Sequence, residues 1–401
     1  MKGFFTQKET ESASRPDGKI LSCASCGNYR YCETPKMQPI GNFKKQIMII
    51  GTSPERVDDK RGLAYQSLNA EYLEKTLANF GINMFEDCLL TYAHHCYNPD
   101  AEGAPTNYEI ECCRKTTIQT VRNNKPKLII LLGGSSLFSL IGHRWKRDLD
   151  KIDKWRGWCI PDQDFKTWLC PVYATEQVKD LQEVLTVWKA DLERALDHLD
   201  IPFPFYKEPV IKILEDDLSI LNTIKGNAAF DYETTGLKPH TIGHEIVCVS
   251  IAISSDLVYV FMLPERIEAR KPFINFLLNP DIGKIAQNCK YEDTWTNVIL
   301  GVDVVNWIWD TMLATHILDN RAGVTGLKFQ TYVQFGIIDY ESEVESYLKS
   351  DEVDNANAFN KIKELLDKPG GKQALLKYCG YDSINEYRLA EMQRSLMGIP
   401  S

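Results

Sequence analysis

The strongest chemical feature of this sequence is a set of acidic side chains in its second half. In FDYETTGL (230–237), Asp231 and Glu233 stand two residues apart at the end of an apolar run. Side chains alternate along a strand, so both carboxylates are predicted on one face, with Phe230 and Tyr232 on the other. Two neighbouring acids repel unless a cation compensates, and Mg²⁺ takes carboxylate oxygens. The spacing therefore predicts a divalent-metal site.

Two later segments supply the remaining groups of this site. AQNCKYEDTW (286–295) is predicted to enter a helix and offers Glu292 or its neighbour Asp293. Further on, Tyr378 and Asp382 are four residues apart, so they share one face of a helix. A strand pair and two helical acids can hold two metal ions for phosphodiester cleavage. Tyr378 is predicted to orient the attacking water.

This half resembles the 3′–5′ proofreading exonuclease of family A DNA polymerases, a DEDDy enzyme with an RNase H-like fold. The resemblance covers about residues 208–397 and runs through FDYETTGL, QNCKYE, WDTML and the final Tyr-x-x-x-Asp. It implies two Mg²⁺ or Mn²⁺ ions and a catalytic set of Asp231, Glu233, Glu292, Tyr378 and Asp382. The family more often has Asp where Glu292 stands, so we expect retained activity with adjusted metal geometry.

The same resemblance implies contacts to nucleic acid. Leu237, Gln287 and Asn288 are the residues implied to grip the 3′-terminal nucleotide. Asp310 precedes Thr311 at the start of a helical segment and is predicted to cap that helix. The implied partners are single-stranded or frayed DNA 3′ ends, together with a separate family A DNA polymerase subunit.

The first half of the chain contains clustered cysteines. Nine of the twelve cysteines lie within the first 170 residues, beginning with CASCGNYRYC (23–32). In a reducing cytoplasm such clustering favours metal over disulfides. CxxC serves zinc and iron–sulfur clusters equally well, because both need thiolates a few ångströms apart. Cys88, Cys159 and Cys170 are interpreted instead as buried small hydrophobes.

About residues 20–195 resemble the uracil-DNA glycosylase superfamily, specifically its iron–sulfur families 4 and 5 and their phage relatives. The resemblance runs through CASCGNYRYCETPKM, IMIIGTSPERVDDKRGLAY, LLTYAHHC and KPKLIILLGGSSLFSLIG. It implies an α/β three-layer domain with a structural [4Fe–4S] cluster. The implied ligands are Cys23, Cys26, Cys96 and Cys113, with Cys32 and Cys112 as alternates.

The catalytic positions of that superfamily are mostly replaced here. Its Gly-Glu-Ala-Pro-Gly motif reads GTSPE, Tyr92 stands where an Asn reads uracil, and Ala174 replaces the His that stabilises departing uracil. Only Tyr65 matches the aromatic residue that stacks on the base. Excision needs charge stabilisation and hydrogen bonds to the flipped base, so we predict that it is lost. Glu55 and Glu176 are interpreted as surface charges.

A basic and aromatic segment, HRWKRDLDKIDKWRG (143–157), is a second candidate for DNA binding. Its cations suit phosphates and its tryptophans suit exposed bases. The residues singled out are Arg144, Lys146, Arg147 and Arg156. Three interspersed aspartates allow an ordinary solvated helix equally well.

The apolar pattern predicts an α/β protein of two domains. QIMIIG (46–51) and KPKLIILLGG (125–134) read as buried parallel strands, and AEYLEKTLANFG (70–81) reads as a helix. Residues 177–200 carry one apolar helical stripe and are followed by the proline-rich IPFPFYKEP. Beyond it, three closely spaced strands lead into a mixed sheet. The predicted division is a flexible N-terminus (1–19), a glycosylase-like domain (20–200), a linker (201–209) and an exonuclease domain (210–401).

Charge and hydropathy limit the cellular context. The 401 residues carry a net charge of −9, which argues against indiscriminate DNA coating but leaves room for a local basic patch. The sequence has neither a secretory leader nor an apolar run of membrane-spanning length, so we expect a cytoplasmic location, in the host cytoplasm if the protein is viral.

The main hypothesis is a metal-dependent 3′–5′ exonuclease fused to an inactive glycosylase-like domain in phage-type replication or repair. The end at Ser401 is expected for a stand-alone editing subunit or a shortened polymerase. The alternatives are an active uracil-DNA glycosylase with an exonuclease, an RNA exonuclease, and a non-catalytic scaffold that recruits a polymerase.

Overall fold

The computed structural model describes residues 21–400 except 100–103, 146–147, 150, 181, 339, 341–342 and 352–354. The proposed flexible N-terminus (1–19) therefore lies outside the described residues. The chain divides into two compact units. The first contains Met1–Tyr206 and Tyr332–Ile338, and the second contains Lys207–Thr331 and Asp339–Ser401. Nothing in the sequence pattern indicated that the short segment Tyr332–Ile338 belongs with the first half of the chain.

The first unit is built on a five-stranded sheet of order β2-β1-β3-β5-β4. Its strands are β1 (Ile47–Gly51), β2 (Cys88–Tyr92), β3 (Leu128–Leu132), β4 (Ile160–Asp162) and β5 (Thr167–Val172). All neighbours pair in parallel except β4, which runs antiparallel to β5. The parallel pairing of β1 with β3 agrees with the prediction from their apolar runs.

Eight helices belong to the described part of this unit. They are α1 (Arg56–Arg61), α2 (Leu68–Asn79), α3 (Met84–Asp87), α4 (Asn107–Asn124), α5 (Gly133–Ile141), α6 (Ile152–Trp155), α7 (Thr175–Asp180) and α8 (Leu185–Asp197). The helix predicted over 70–81 is α2. The single stripe predicted over 177–200 is instead α7, a 3₁₀ turn (Gln182–Val184) and α8. Strands β1 and β3 are buried on both faces, as a three-layer arrangement requires.

The second unit has a six-stranded mixed sheet of order β11-β10-β7-β8-β9-β6. Its strands are β6 (Val210–Ile213), β7 (Gly226–Thr234), β8 (Ile246–Ser254), β9 (Leu257–Met262), β10 (Ile282–Ala286) and β11 (Trp307–Asp310). Strands β7, β8 and β9 form the predicted antiparallel meander, whereas β10 pairs in parallel with both β7 and β11. The predicted mixed sheet is thus confirmed.

Six helices belong to the described part of this unit. They are α9 (Lys271–Leu278), α10 (Lys290–Trp295), α11 (Thr311–Leu318), α12 (Leu327–Phe335, whose last turn belongs to the first unit), α13 (Ile362–Leu366) and α14 (Gly371–Leu396). Phe230 and Tyr232 of β7 pack with Phe273 of α9. Helix α14 contacts β7, β8 and β9, so α9 and α14 pack against opposite faces of the sheet. None of the described helices has the length and apolar character needed to cross a membrane.

Candidate functional site

The carboxylates of the second unit meet where β7 faces α14. Asp231 and Glu233 project from β7 on the side opposite Phe230 and Tyr232, as the alternation predicts. One ligand atom from each of Asp231, Glu233 and Cys379 of α14 lies within 4.8 Å of the others. The Cys379 Sγ is 3.8 Å from Asp231 Oδ2. Strand and helix thus bring the two acids of β7 together beside a buried thiol of α14.

The approach of α14 to the sheet depends on a glycine. A Cβ at Gly380 would lie 3.0 Å from Val260 Cγ1 and 3.4 Å from Ile211 Cγ2, so α14 is tightly packed against the sheet at this position. Tyr378 and Asp382 flank this contact on the same helical face, and both are more than nine-tenths buried. Tight packing at Gly380 is therefore one of the contacts that hold α14, which carries these two side chains, against the sheet.

A lysine that the sequence pattern did not indicate completes this region. Lys328 of α12 forms an ion pair with Asp382. Its Nζ lies 3.9 Å from the ring centre of Tyr340 and 4.2 Å from that of Tyr378. The hydroxyl of Tyr340 also donates a 2.7 Å hydrogen bond to Asp382 Oδ1. Helix α12 begins with Leu327 and Lys328, and no sequence pattern around these two residues indicates this contact.

Burial dominates the ionisation of the cluster. It raises the pKa of Asp231 well above its usual value; Asp382 raises it further and Lys328 lowers it. Burial likewise raises the pKa of Glu233, and the negative charge of Asp231 adds to that rise. The pKa of Tyr378 is also raised well above its usual value by burial. Tyr378 is therefore a neutral phenol that can donate a hydrogen bond to water or accept one from it.

Glu292 of α10 lies in the same interior, and its neighbour Asp293 does not. Glu292 is 2% exposed, and burial together with Asp231 raises its pKa well above the usual value. Asp293 instead accepts a hydrogen bond of 3.1 Å from the indole of Trp307. Of the two acids left open by the sequence, only Glu292 faces Asp231. Cys379 is a buried thiol with a raised pKa, and hard divalent ions prefer the oxygens around it.

The residues implied to hold the 3′ nucleotide differ in availability. Leu237 is 65% exposed beyond the end of β7. The side chain of Gln287 is engaged internally, donating to Thr325 O at 2.8 Å and accepting from Thr311 Oγ1. Asn288 has a positive φ of 67°, and its backbone N–H is held by the carboxylate of Asp310.

Asp310 organises the turn between β10 and α10. As predicted, its carboxylate caps α11 by accepting from the backbone N–H groups of Met312 and Leu313. It also accepts from the N–H groups of Asn288 at 3.2 Å and Cys289 at 2.9 Å. One carboxylate therefore fixes the turn that leads into Glu292.

The pocket of the first unit is arranged differently. Tyr65 and Tyr92 are stacked, with ring centres 4.8 Å apart and an interplanar angle of 7°. The Tyr92 hydroxyl donates to Asp58 Oδ2 at 3.0 Å and accepts from the Tyr65 N–H at 2.8 Å. A Cβ at Gly51 would fall 2.7 Å from the Tyr65 hydroxyl. The aromatic residue implied to stack on a base thus stacks on a tyrosine of the same chain.

A cavity of about 400 Å³ remains beside this stack. Its lining includes Gly51, Tyr65, Tyr92, Gly133, Ala174 and Glu176. Ala174 is buried and carries no polar group where the resemblance expects His. Glu55 and Glu176 are both exposed on the rim, and Glu176 accepts a 3.3 Å hydrogen bond from Thr52. At position 174 the cavity therefore lacks the hydrogen-bonding side chain that the resemblance expects for a departing anion.

The cysteines named as cluster ligands interact electrostatically with one another in the first unit. Burial raises the pKa of Cys113 to about 12, and the neighbouring Cys23 and Cys26 contribute to that shift. Burial also raises the pKa of Cys96, which interacts with Cys32 as well as with the CxxC pair. The fourth-ligand alternate, Cys112, faces Cys26. The donor set is sulfur only, which suits iron–sulfur or zinc chemistry.

In its described residues, the basic segment is neither one solvated helix nor an open cationic surface. Arg144 pairs with Asp162 at 2.6 Å, and Arg156 pairs with Asp191 at 3.1 Å. Both partner aspartates are almost fully buried. Only α6 is helical within the described part of the segment, and Lys146 and Arg147 lie outside the described residues. The placement of the two arginines does not favour phosphate binding, so this role stays an untested prediction.

Both halves of the chain match known protein families. Residues 38–186 match the uracil DNA glycosylase superfamily, and residues 212–375 match the 3′–5′ exonuclease family. The chain is 28% identical over 115 residues to the type-4 uracil-DNA glycosylase of Archaeoglobus fulgidus, covering 29% of this chain and 56% of that protein. The match therefore spans about half the length of that relative.

Two further similarities are found, one to a sequence relative and one to a solved structure. The chain is 30% identical over 138 residues to DNA polymerase I of Chloroflexus aurantiacus, covering 31% of this chain and 14% of that protein. Among solved structures, Brucella melitensis NrnC with bound Mg²⁺ aligns with 18% identity and a TM-score of 0.35, covering 47% of this chain and 84% of that chain.

Proposed function

Because the chain carries a domain of the uracil-DNA glycosylase superfamily followed by a 3′–5′ exonuclease domain, we propose that it removes nucleotides from DNA 3′ ends in a divalent-metal-dependent reaction. The observation that carries this proposal is that Asp231 and Glu233 lie together where β7 faces α14 and interact with Asp382 and Tyr378 of that helix. Four roles are required for hydrolysis: holding cations, holding the 3′ nucleotide, orienting water and excluding bulk solvent.

The residues of the second unit fit a divalent metal by their chemistry. Asp231, Glu233, Glu292 and Asp382 offer only oxygen donors, and Glu292 Oε2 is buried without a hydrogen-bond partner among the described residues. Mg²⁺ or Mn²⁺ ions bound by these carboxylates would polarise the scissile phosphate and lower the pKa of a bound water. Tyr378, neutral and held beside Asp382, would orient the water toward phosphorus. Leu237, exposed at the strand end, would contact the terminal nucleotide.

For the first unit we propose that uracil excision is lost. The ring of Tyr92 covers one face of Tyr65, and the hydroxyl of Tyr92 donates its hydrogen bond to Asp58. Tyr92 therefore cannot form the hydrogen bonds to the edge of a base that an amide side chain would form. Ala174 supplies no hydrogen bond to a departing anion. We further propose that Cys23, Cys26, Cys96 and Cys113 hold a structural [4Fe–4S] cluster.

The wider context follows from these proposals. An editing activity acts on single-stranded or frayed 3′ ends, so we propose a role in DNA replication or repair beside a separate family A polymerase. A phage origin and a cytoplasmic location remain predictions from the sequence.

The decisive experiment is a nuclease assay on the purified chain. Single-stranded DNA labelled at its 5′ end is incubated with Mg²⁺ or with EDTA, and the products are resolved by length. We expect a ladder of progressively shortened products with Mg²⁺, none with EDTA and none with D231A. Matched RNA and uracil-containing duplex DNA test the alternatives. An absence of Mg²⁺-dependent shortening, or shortening that persists in D231A, would refute the proposal.

A further inference from the structure

We use the name carboxylate cluster for the four acids predicted from the sequence, Asp231, Glu233, Glu292 and Asp382. The structure adds a fifth acid to this cluster. Glu386 of α14 lies one helical turn beyond Asp382, which itself lies one turn beyond Tyr378. Glu386 is 1% exposed, and its Oε2 has no hydrogen-bond partner among the described residues. It interacts electrostatically with Asp231, Glu292 and Asp382. The helical face that carries the predicted Tyr and Asp therefore presents a third functional group to the same interior.

Glu386 and Glu292 share an unusual condition. The Oε2 atoms of both residues are buried and unpartnered within the described part of the chain, and neither residue forms an ion pair there. Glu386 accepts a hydrogen bond from the backbone N–H of Gln287, but a buried carboxylate whose charge no cation compensates still costs several kcal/mol in ionised form. The lysine of this region, Lys328, is paired with Asp382 instead. Two neighbouring acids thus lack a compensating cation.

We propose that Glu386, together with Glu292, is a ligand of a divalent cation in the carboxylate cluster of the second unit. This assignment deepens the proposed nuclease function and rests on it for the role of the ion. The longer side chain of Glu292, compared with the Asp that its family more often has, is matched by a second long carboxylate from α14. Oxygen donors from β7, α10 and α14 would then surround the ion, consistent with the preferences of Mg²⁺ and Mn²⁺.

If Glu292 and Glu386 are not metal ligands, the opposite result is expected for metal binding. If Glu292 and Glu386 remain protonated and only fill the interior, replacing one by Gln removes no ligand. Metal affinity separates the two states without reference to catalysis. The matched control is Glu391, which lies on the same helix α14 and is exposed.

The experiment measures Mn²⁺ binding to the full-length chain by isothermal titration calorimetry in metal-free buffer. We expect E386Q to weaken Mn²⁺ binding at one site by about tenfold or more. Removing a residue that only hydrogen-bonds to a metal ligand already lowers metal affinity by about that much, so the loss of a ligand should be at least as large. E391Q should change the affinity by less than about twofold. E386D, which keeps the carboxylate but shortens its reach, should fall between the wild type and E386Q. Far-UV circular dichroism and thermal melts establish that each variant is folded.

A double-mutant cycle tests whether the two residues share one ion. For a shared ion, E292Q and E386Q should weaken binding by amounts that do not add in the double variant. Wild-type Mn²⁺ affinity in folded E386Q overturns the assignment. If the wild-type chain proves inactive on DNA and RNA while E386Q still loses Mn²⁺ affinity, the ligand assignment stands and the proposed function fails. If the wild-type chain is an active nuclease and E386Q keeps its Mn²⁺ affinity, the proposed function stands and the ligand assignment fails.

Discussion

The two sites of this chain differ in how their buried polar atoms are satisfied. In the second unit, Glu292 and Glu386 each keep a buried oxygen without a partner in the described residues. In the first unit, the Tyr92 hydroxyl both donates and accepts, and its ring is stacked on Tyr65. Unpaired buried groups are costly and persist where a ligand completes them. The two buried oxygens of the second unit are the atoms that the proposed cation would complete, whereas the tyrosine pair of the first unit is satisfied from within the chain.

The largest expected effect is the loss of nuclease activity in D231A. Asp231 lies in the cluster with Glu233 and Cys379 and interacts with Asp382, so its removal takes away a central oxygen donor. We expect activity on single-stranded DNA to fall by about 10³-fold or more, as is common when a group of the catalytic set is removed. The measurement is single-turnover cleavage in Mg²⁺. D256A, at an exposed turn of the same unit, should retain activity, and equal activity in both variants would contradict this view of the second site.

The second prediction concerns the cysteines. If Cys96 is a cluster ligand, C96S should abolish the absorbance near about 400 nm expected of an iron–sulfur protein and lower the thermal stability of the first unit. Nuclease activity should stay within about twofold of wild type, because the carboxylates lie in the other unit. Iron analysis and absorbance spectra provide the measurement. A colourless wild-type protein loaded with zinc would overturn the iron–sulfur assignment.

The third prediction concerns Lys328 as the resident cation of the carboxylate cluster. K328M removes the charge that pairs with Asp382 and holds the rings of Tyr340 and Tyr378. We expect nuclease activity to fall by about 10–100-fold, which is the loss expected when the group that orients the attacking water is misplaced. In EDTA the melting temperature should also fall, and Mg²⁺ should restore more of it than in wild type.

The control for that variant is K372M. Lys372 forms an ion pair with Glu215 in which both side chains are exposed, and such pairs contribute little. Unchanged activity and stability in K328M would show that Lys328 only fills space beside the site.

The smallest expected effect concerns the pocket of the first unit. Y92F removes the hydroxyl that bonds Asp58 but keeps the ring stacked on Tyr65, and should lower stability by about 1 kcal/mol. Y92N removes the stack as well and introduces the amide that the superfamily uses. We expect no uracil excision from Y92N, because Ala174 still lacks a hydrogen-bonding group. Abasic-site formation by Y92N would show that Tyr92 blocks the wild-type pocket and that the groups needed for uracil excision are still present.

Much of the architecture could be predicted from local patterns. Alternation along FDYETTGL placed Asp231 and Glu233 on the face opposite Phe230, and the four-residue spacing placed Tyr378 and Asp382 on one helical face. Short apolar runs identified β1 and β3 as parallel strands. These predictions succeeded because period and hydrophobicity act over a few residues.

Other features could not be predicted, because they depend on contacts between distant segments. The basic residues Arg144 and Arg156 looked available for phosphate, yet each is paired with a buried aspartate 18 or 35 residues away. Lys328 reaches Asp382 across 54 residues. The helix expected over 177–200 is interrupted by a 3₁₀ turn, although its apolar stripe is continuous.

The sequence by itself determined the types and local order of the reactive groups: the Asp-x-Glu pair, the Tyr-x-x-x-Asp turn, the clustered thiols and the absence of a histidine at Ala174. Those features follow from covalent order and from the short-range geometry of strands and helices. Only the tertiary structure decided that Glu386 and Lys328 join the carboxylates, and that Tyr92 lies against Tyr65. These contacts are set by the packing of α14 on the sheet, by the ion pair between α12 and α14, and by the close approach at Gly51, none of which follows from a local sequence period.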